Sequence, residues 1–456
     1  MFVFDKYSGE RLGEVPDASA ADVHRAVTRA AATAPAWGAV AAHKRSTILR
    51  RTAELLGAKR DALAELIARE SGKAWRYALA EVARGVETFE FAAEEAKRLH
   101  GETVPLDASA AGEGRVGFYL RVPVGVVAAI TPFNFPLNLV AHKVAPALAA
   151  GNTVVLKPAD RTPLTAVALA RTLADAGLPE GVLEVVHGEG ATTGEALVRH
   201  PGPAKISFTG SPEVGERILA IAGLKRVTLE LGNNSGVMIE PDADLDKAIP
   251  RLVMSAFANA GQVCLSLQRL FVHASIADTV IERLVAETKA LKVGDPRDRA
   301  CDVGPMISEA AADRVEQWVQ AAMDGGARRP AGGRREGKLL WPIVLTHTRP
   351  EMKVMAQEVF GPVVSVVRYD TFEDGLRRLG DTPYGLQAGI YTRDIDKAFA
   401  AIRSLDMGGV LINDTPIFRV DHMPYGGNRR SGIGREGVRY AVEEMTNLRM
   451  VVVNLT

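Results

Sequence analysis

Five short runs of β-branched and apolar residues, Val126–Ile130, Thr153–Lys157, 183–186, Lys205–Thr209 and Arg226–Glu230, recur at roughly 25-residue intervals. Ala- and Leu-rich stretches at 141–150, 164–176 and 214–222 separate most of them. Strands alternating with helices at this spacing form parallel βαβ units, because a parallel neighbour is reached only through a long crossover. The expected class is α/β, with a doubly wound parallel sheet of the kind that holds nucleotides at its carboxyl edge. A second strand–helix series starts at Gly236–Ile239 and runs through 244–261. It continues at 269–272, 277–291, Val363–Tyr369, 386–392 and 410–413, predicting a second α/β unit.

Residues 21–100 carry apolar side chains at three- and four-residue spacing, as in Ile48, Leu55, Leu56, Leu63, Leu66 and Ile67. They read as amphipathic helices that cover the sheet. Residues 101–121 are expected as loop and hairpin, interrupted by Gly112 and Gly114, and the basic stretch 325–338 as an exposed loop. The run Met450, Val451, Val452 and Val453 is a terminal strand that would be a bare edge alone, so pairing with another element, one of another subunit among the candidates, is expected.

A chain of 456 residues with 55 basic and 55 acidic side chains has no global field for nucleic acid or an anionic membrane. Its longest apolar runs, such as 122–130, are too short to span a bilayer. The N-terminus has no secretory pattern. Two cysteines, Cys264 and Cys301, make no disulfide framework and suit reduced thiols in a cytoplasm.

Phosphate contacts have two candidates. In HGEGATTG, Gly188, Gly190 and Gly194 miss the dinucleotide spacing by one residue. In FTGSPEVG, a strand ends at Thr209, and Gly210, Ser211 and Pro212 open a helix whose N–H groups point off the sheet edge. An ordinary capped helix would look the same. Lys157 ends another strand, and Asp160 after it either accepts from a ribose diol or caps the next helix.

Cys264 is either a small buried hydrophobe or a nucleophile. Glu230 and Asn134 each sit at or just after a strand end. Together the three could supply nucleophile, general base and oxyanion donor. No metal-ligand spacing is present among the nine histidines, and neither GxSxG nor GxxxxGK[ST] occurs. The Gly- and Arg-rich segment 419–437 reads as a solvated turn, with an anion-attracting entrance as the alternative.

TPFNFP, GNTVVLKPA, FTGSPEVG, LELG, FANAGQVC, EVFGPV and PYGG…SGIGREG follow one another along the chain, with Glu230 34 residues before Cys264. In this order they resemble the aldehyde dehydrogenase superfamily over nearly the whole length. The resemblance implies a Rossmann-like NAD-binding domain (1–104 and 122–232) and an α/β catalytic domain (233–428). A small β element (105–121 and 429–456) would bridge a homodimer or homotetramer.

It also implies that Cys264 attacks an aldehyde while Asn134 and the Cys264 N–H hold the oxyanion. Hydride then passes to the nicotinamide, and Glu230 activates water against the resulting thioester. Glu358 would hold the nicotinamide ribose with Phe360 beside the ring. Lys157 and Asp160 would meet the adenosine ribose, and Gly210 and Ser211 the pyrophosphate. Phe133 and Leu231 complete the cofactor site. Asp160 replaces a Glu common in NAD-preferring members and is equally negative, so NAD is expected, with NADP the alternative.

Two positions depart from the pattern. Asn233 stands where a second Gly is usual, which questions the placement of Glu230, and Arg429 replaces a common Lys. GQVCLSLQR and NDTPIFRVDHMPYGG look most like the lactaldehyde dehydrogenase branch, whose relatives include non-phosphorylating glyceraldehyde-3-phosphate and phosphonoaldehyde dehydrogenases. A small hydroxyaldehyde is therefore expected, with Phe135 and Val263 against it. An anionic short-chain aldehyde met by Arg419 and His422 is second. A CoA-acylating enzyme and an inactive paralogue are the remaining alternatives.

Overall fold

The computed structural model describes residues 1–455. The first strand series forms a six-stranded sheet in the order Gly432–Ile433, Arg226–Glu230, Lys205–Thr209, Val126–Ile130, Thr153–Lys157, Leu183–Val185. All neighbours are parallel except the short Gly432–Ile433 strand at one edge. Every residue of Val126–Ile130 and Thr153–Lys157 is buried, which is why both read as unbroken apolar runs. The chain winds outward from Val126–Ile130 in one direction, then returns to its other side at Lys205–Thr209. Connections leave these two neighbours toward opposite faces, so a crevice opens above their carboxyl ends.

The crossover helices are Asn138–Ala149, Pro163–Asp175 and Pro212–Ile221. Asn138–Ala149 starts before its Ala-rich stretch because the N–H groups of Leu137 and Asn138 donate to Glu81 Oε1, at 2.8 and 3.1 Å. No local side chain caps it. Residues 21–100 fold as Ala20–Gly38, Ala42–Ala58, Arg60–Ser71 and Trp75–Arg98. Leu56, Ile67 and Phe89 from the last three share a core with Val127, Val154 and Leu156 of the sheet.

The second sheet has seven strands in the order Arg328–Ala331, Ile343–Thr346, Val363–Tyr369, Arg269–His273, Gly236–Ile239, Gln387–Tyr391, Gly409–Ile412. The expected loop at 325–338 is corrected here. It contains the antiparallel edge strand Arg328–Ala331 and one arm of the Arg335–Glu336/Leu339–Leu340 hairpin. Only Ala331 of the edge strand is buried, so no apolar alternation marks it. The buried strand Ile343–Thr346 and the helix Glu309–Asp324 are elements beyond those expected from the apolar pattern.

In a third sheet, Thr446–Asn454 pairs antiparallel with Arg115–Pro123 along nine residues, and Arg115–Pro123 pairs with Thr103–Val104. Val116, Leu120, Leu448, Met450, Val452 and Val453 are exposed on it. The segment after 429 is not one element. Gly432–Ile433 joins the first sheet, and Val438 and Val442 of helix Val438–Glu444 enter the first lobe's core. Among the described residues no helix is long and apolar enough to cross a membrane.

Candidate active site

Asn134 lies in the loop that leaves the central strand of the first sheet. Its Nδ2 donates to the Gln262 carbonyl at 3.0 Å, which fixes the amide and leaves it a second N–H.

Cys264 follows the helix Leu245–Phe257 and a turn in which Asn259, Ala260 and Gly261 are all left-handed, with φ of 52°, 54° and 68°. Two of these are not glycine, and each such residue costs about 1 kcal/mol or more. Gln262 holds the turn, with Nε2 donating to the Asn259 carbonyl at 3.1 Å and Oε1 accepting from the Ile307 N–H at 2.9 Å. A Cβ at Gly261 would collide with the Gly361 carbonyl, so this turn lies directly on the loop that carries Glu358 and Phe360. The Cys264 sulfur is 3.1 Å from the Tyr425 hydroxyl. Burial pushes the thiol pKa up to about 11, and the carboxyls of Glu358 and Glu230 push the same way. The Tyr425 hydrogen bond and Arg419 oppose them. The resting thiol keeps its proton at neutral pH.

Glu230 ends its strand with both carboxyl oxygens buried and without a partner. Burial and the neighbouring Glu436 carboxylate push its pKa well above the ordinary range. Glu436 itself is held down to about 2 despite burial, chiefly by Lys143, His142 and Arg419. Its oxygens accept from Lys143 Nζ at 2.8 Å and Arg419 Nη2 at 3.1 Å. Two adjacent carboxyls are thus driven to opposite protonation states: Glu436 is ionised, and Glu230 is poised to hold and release a proton.

Asn134, Glu230 and Cys264 line one cavity of about 580 Å³ between the lobes. So do Phe133, Phe135, Gly210, Ser211, Leu231, Val263, Glu358, Phe360 and Arg419. Lys157, Asp160 and His422 do not. Lys157 is buried at its strand end with Nζ on the Pro158 carbonyl at 3.2 Å, and Asp160 is exposed beside it. His422 is a correction: it is exposed, and its ring packs 4.9 Å from that of Phe91, on the outer side of the segment.

The segment 419–437 is also corrected, since it is a wall of the site and not a solvated turn. Asp421, Tyr425, Ser431 and Glu436 are buried. Asp421 gathers Arg84 at 2.7 Å, His142 at 2.7 Å and Asn138 at 3.1 Å. Arg419 is 6% exposed, its guanidinium lies 3.5 Å over the Tyr425 ring, and its Nε is buried without a partner. Arg84, His142, Lys143, Asp421, Tyr425 and Glu436 are site residues beyond those expected from the sequence. The available signal was the pair His142 and Lys143 inside an otherwise apolar helix that is buried throughout.

A dinucleotide fits the cofactor side. Ser211 caps the helix Pro212–Ile221 and Pro212 opens it, leaving N–H groups toward the cavity. Thr209 Oγ1 is buried there without a partner. Glu358 Oε1 accepts from the Asn233 N–H at 3.0 Å, and burial lifts its pKa to about 7 against that bond. A Cβ at Gly232 would strike this carboxyl. Phe360 is left-handed at φ 46° and meets Phe133 edge-on at 5.9 Å. The turn bearing Gly188, Gly190 and Gly194 lies outside the cavity and ties to the N-terminal segment through Thr193 Oγ1 and the Ala18 carbonyl, at 3.0 Å.

Asn233 is not left-handed, so no glycine is required there, and its Nδ2 donates to Ser235 Oγ at 2.7 Å. Arg429 is outside the cavity, bound to Asp406 at 2.8 Å and the Thr382 carbonyl at 2.8 Å. Among the described residues no group of three or more His, Cys, Asp or Glu side chains is arranged to hold a metal ion.

The aldehyde dehydrogenase family model matches residues 1–451. A 3-sulfolactaldehyde dehydrogenase of Priestia aryabhattai is 46% identical over 455 residues, covering 100% of this chain and 95% of that one. A lactaldehyde dehydrogenase of Methanocaldococcus jannaschii is 39% identical over 458 residues, covering 100% and 97%. The crystal structure of the glyceraldehyde-3-phosphate dehydrogenase GapN from the same organism, complexed with NADP, superposes with a TM-score of 0.96 at 39% identity. It covers 100% of this chain and 99% of that one.

Proposed function

The chain belongs to the aldehyde dehydrogenase family and oxidises a small aldehyde with NAD(P), and from that premise we propose what its residues do. Cys264 gives up its proton to water and its sulfur attacks the aldehyde carbon, while the carbonyl electron pair moves onto oxygen. The Asn134 amide and the Cys264 N–H hold that oxygen. Gly210 and Ser211 take the pyrophosphate, Glu358 a ribose hydroxyl, and Phe133, Leu231 and Phe360 flank the ring. Bound there, the dinucleotide supplies the two-electron acceptor that turns the sulfur adduct into a thioester. Glu230, once it has released its own proton to solvent, then takes a proton from water as the water oxygen attacks the acyl carbon. Cys264 leaves as thiolate and the product is a carboxylic acid.

The observation that carries this reading is the meeting of Cys264, Asn134 and the unpartnered Glu230 carboxyl in one cavity. That same carboxyl favours water over CoA as the acyl acceptor. Its test is Cys264→Ser, expected to cut NADH production by about 10³-fold or more with cofactor binding intact. Undiminished turnover would overturn it.

The substrate proposed is a small 2-hydroxyaldehyde, held among Phe135, Val263 and the polar wall. A second reading, an aldehyde with an anionic tail, is favoured by the buried, unpartnered Arg419 Nε. Comparing kcat/KM for lactaldehyde, glycolaldehyde, succinic semialdehyde and phosphonoacetaldehyde separates them. NAD is the preferred cofactor proposed, because Asp160 and Glu189 both act on Lys157 and would repel a 2′-phosphate. The two thiols are free and suit a cytoplasmic enzyme. The exposed apolar residues of the third sheet suit a homodimer or homotetramer, which light scattering would test.

A further inference from the structure

Among the described residues, the only hydrogen-bond partner of the Cys264 sulfur is the Tyr425 hydroxyl, at 3.1 Å. Tyr425 is 3% exposed and lines the same cavity as the sulfur. The Arg419 guanidinium lies 3.5 Å over its ring centroid, and Glu436 anchors Arg419 from behind. The phenol is therefore fixed by packing on one side and by a cation on its face. Its hydroxyl can reach the sulfur without a change in fold.

We infer that Tyr425 is a catalytic residue whose hydroxyl donates a hydrogen bond to the Cys264 sulfur as the thiolate forms, stabilising and aiming it. The inference rests on the reading of Cys264 as the nucleophile. Ionisation breaks the S–H bond and passes the proton to water. Tyr425 keeps its own proton and shares it with the sulfur. The direction of donation follows from the chemistry of the pair, since burial and the adjacent Cys264 push the phenol well above its ordinary range, so it stays protonated when the thiol ionises. The charged groups facing the sulfur are Arg419, which favours the thiolate, and the carboxyls Glu358 and Glu230, which oppose it. A hydroxyl donor is worth more in this buried wall than in water, because the low local dielectric screens the bond less. Phenylalanine at 425 would keep the ring under Arg419 and remove only the donor.

The test is alkylation of Cys264 by iodoacetamide, followed by peptide mass from about pH 6 to about pH 10, in the full-length parent and Tyr425→Phe. Below a thiol pKa pushed up to about 11 the profile lies on its rising limb, and the variant is expected to alkylate at least about tenfold slower at each pH, the offset of a pKa higher by about one to two units. Cofactor binding measured by fluorescence should be unchanged. Superposable alkylation profiles would overturn the inference, even if turnover falls. Should Tyr425→Phe not fold, 3,5-difluorotyrosine placed at 425 keeps the shape and strengthens the donor. It is expected to lower the thiol pKa, and an unmoved pKa would overturn the inference. Retained turnover in Cys264→Ser would sink the nucleophile reading separately, since alkylation reports on the sulfur whether or not it reacts with aldehyde.

Discussion

The Glu81 carboxyl accepts the backbone N–H of Leu137 at 2.8 Å, from a helix 56 residues earlier in the chain. This bond ends the loop that carries Asn134 and Phe135, and the same carboxyl group pairs with the fully buried Lys73. The Lys73 ammonium in turn lies 3.6 Å over the Phe135 ring. The Asn134 side of the site therefore stands on a buried ion pair.

Glu81→Ala leaves Lys73 charged and unpaired in the core and two N–H groups without an acceptor. It is expected to lose about 3 kcal/mol or more of stability, read from denaturant midpoints. Glu81→Gln keeps one acceptor oxygen and should fall between the parent and the alanine variant. Equal midpoints for the alanine variant and the parent would show that the loop is held otherwise.

Glu230→Gln removes the base proposed for hydrolysis and leaves the sulfur in place. A rapid burst of NADH close to one per subunit should appear, followed by a steady rate about 10²–10⁴-fold below the parent. Rapid-mixing absorbance at 340 nm and the mass of the acylated chain check this. A variant with no burst and no acyl adduct would place Glu230 before the thioester.

Asn134→Ala should lower kcat/KM by about 10²–10³-fold while cofactor affinity stays constant. Steady-state kinetics beside fluorescence titration of the dinucleotide gives both numbers. A loss confined to KM for the aldehyde would assign Asn134 to substrate binding alone.

Glu358 titrates near pH 7 in the folded chain, above the ordinary carboxyl range because it is buried. Its ionised form is the stronger acceptor for the ribose hydroxyl proposed to bind there, whereas the protonated form turns one oxygen into a donor. Dinucleotide affinity should therefore tighten as pH rises through about 7, and Glu358→Gln should flatten the dependence. For stability the sign is opposite. The folded chain binds this proton more tightly than the unfolded one. The contribution is present below the unfolded carboxyl pKa and lost as pH rises through about 7.

The strands of the first sheet and the helix caps at Ser211 and Pro212 were legible because both are written in local sequence. Buried parallel strands are continuous apolar runs, and a capped helix carries its own cap. The edge strand Arg328–Ala331 was not legible, since its exposed arginines look like a loop. The early start of Asn138–Ala149 depends on Glu81, a partner that spacing along the chain cannot reveal. At the site, the resemblance pointed to Cys264, Glu230 and Asn134, which lie together in the cavity. The supporting charges, Glu436 with Lys143 and Asp421 with Arg84 and His142, are joined across 279 to 337 residues and leave no local mark. His422 was misplaced because neighbouring residues of an irregular segment face opposite ways: Asp421 is turned in and His422 out.

Residues 409–454 visit the three largest sheets in turn, through Gly409–Ile412, Gly432–Ile433 and Thr446–Asn454. They also bring Arg419, Tyr425 and Glu436 to the cavity. A chain still on the ribosome can hold Cys264 and yet have no finished wall around it. The pocket is completed only after residue 436 has joined the fold, so a product truncated before Arg419 would hold Cys264 without this wall.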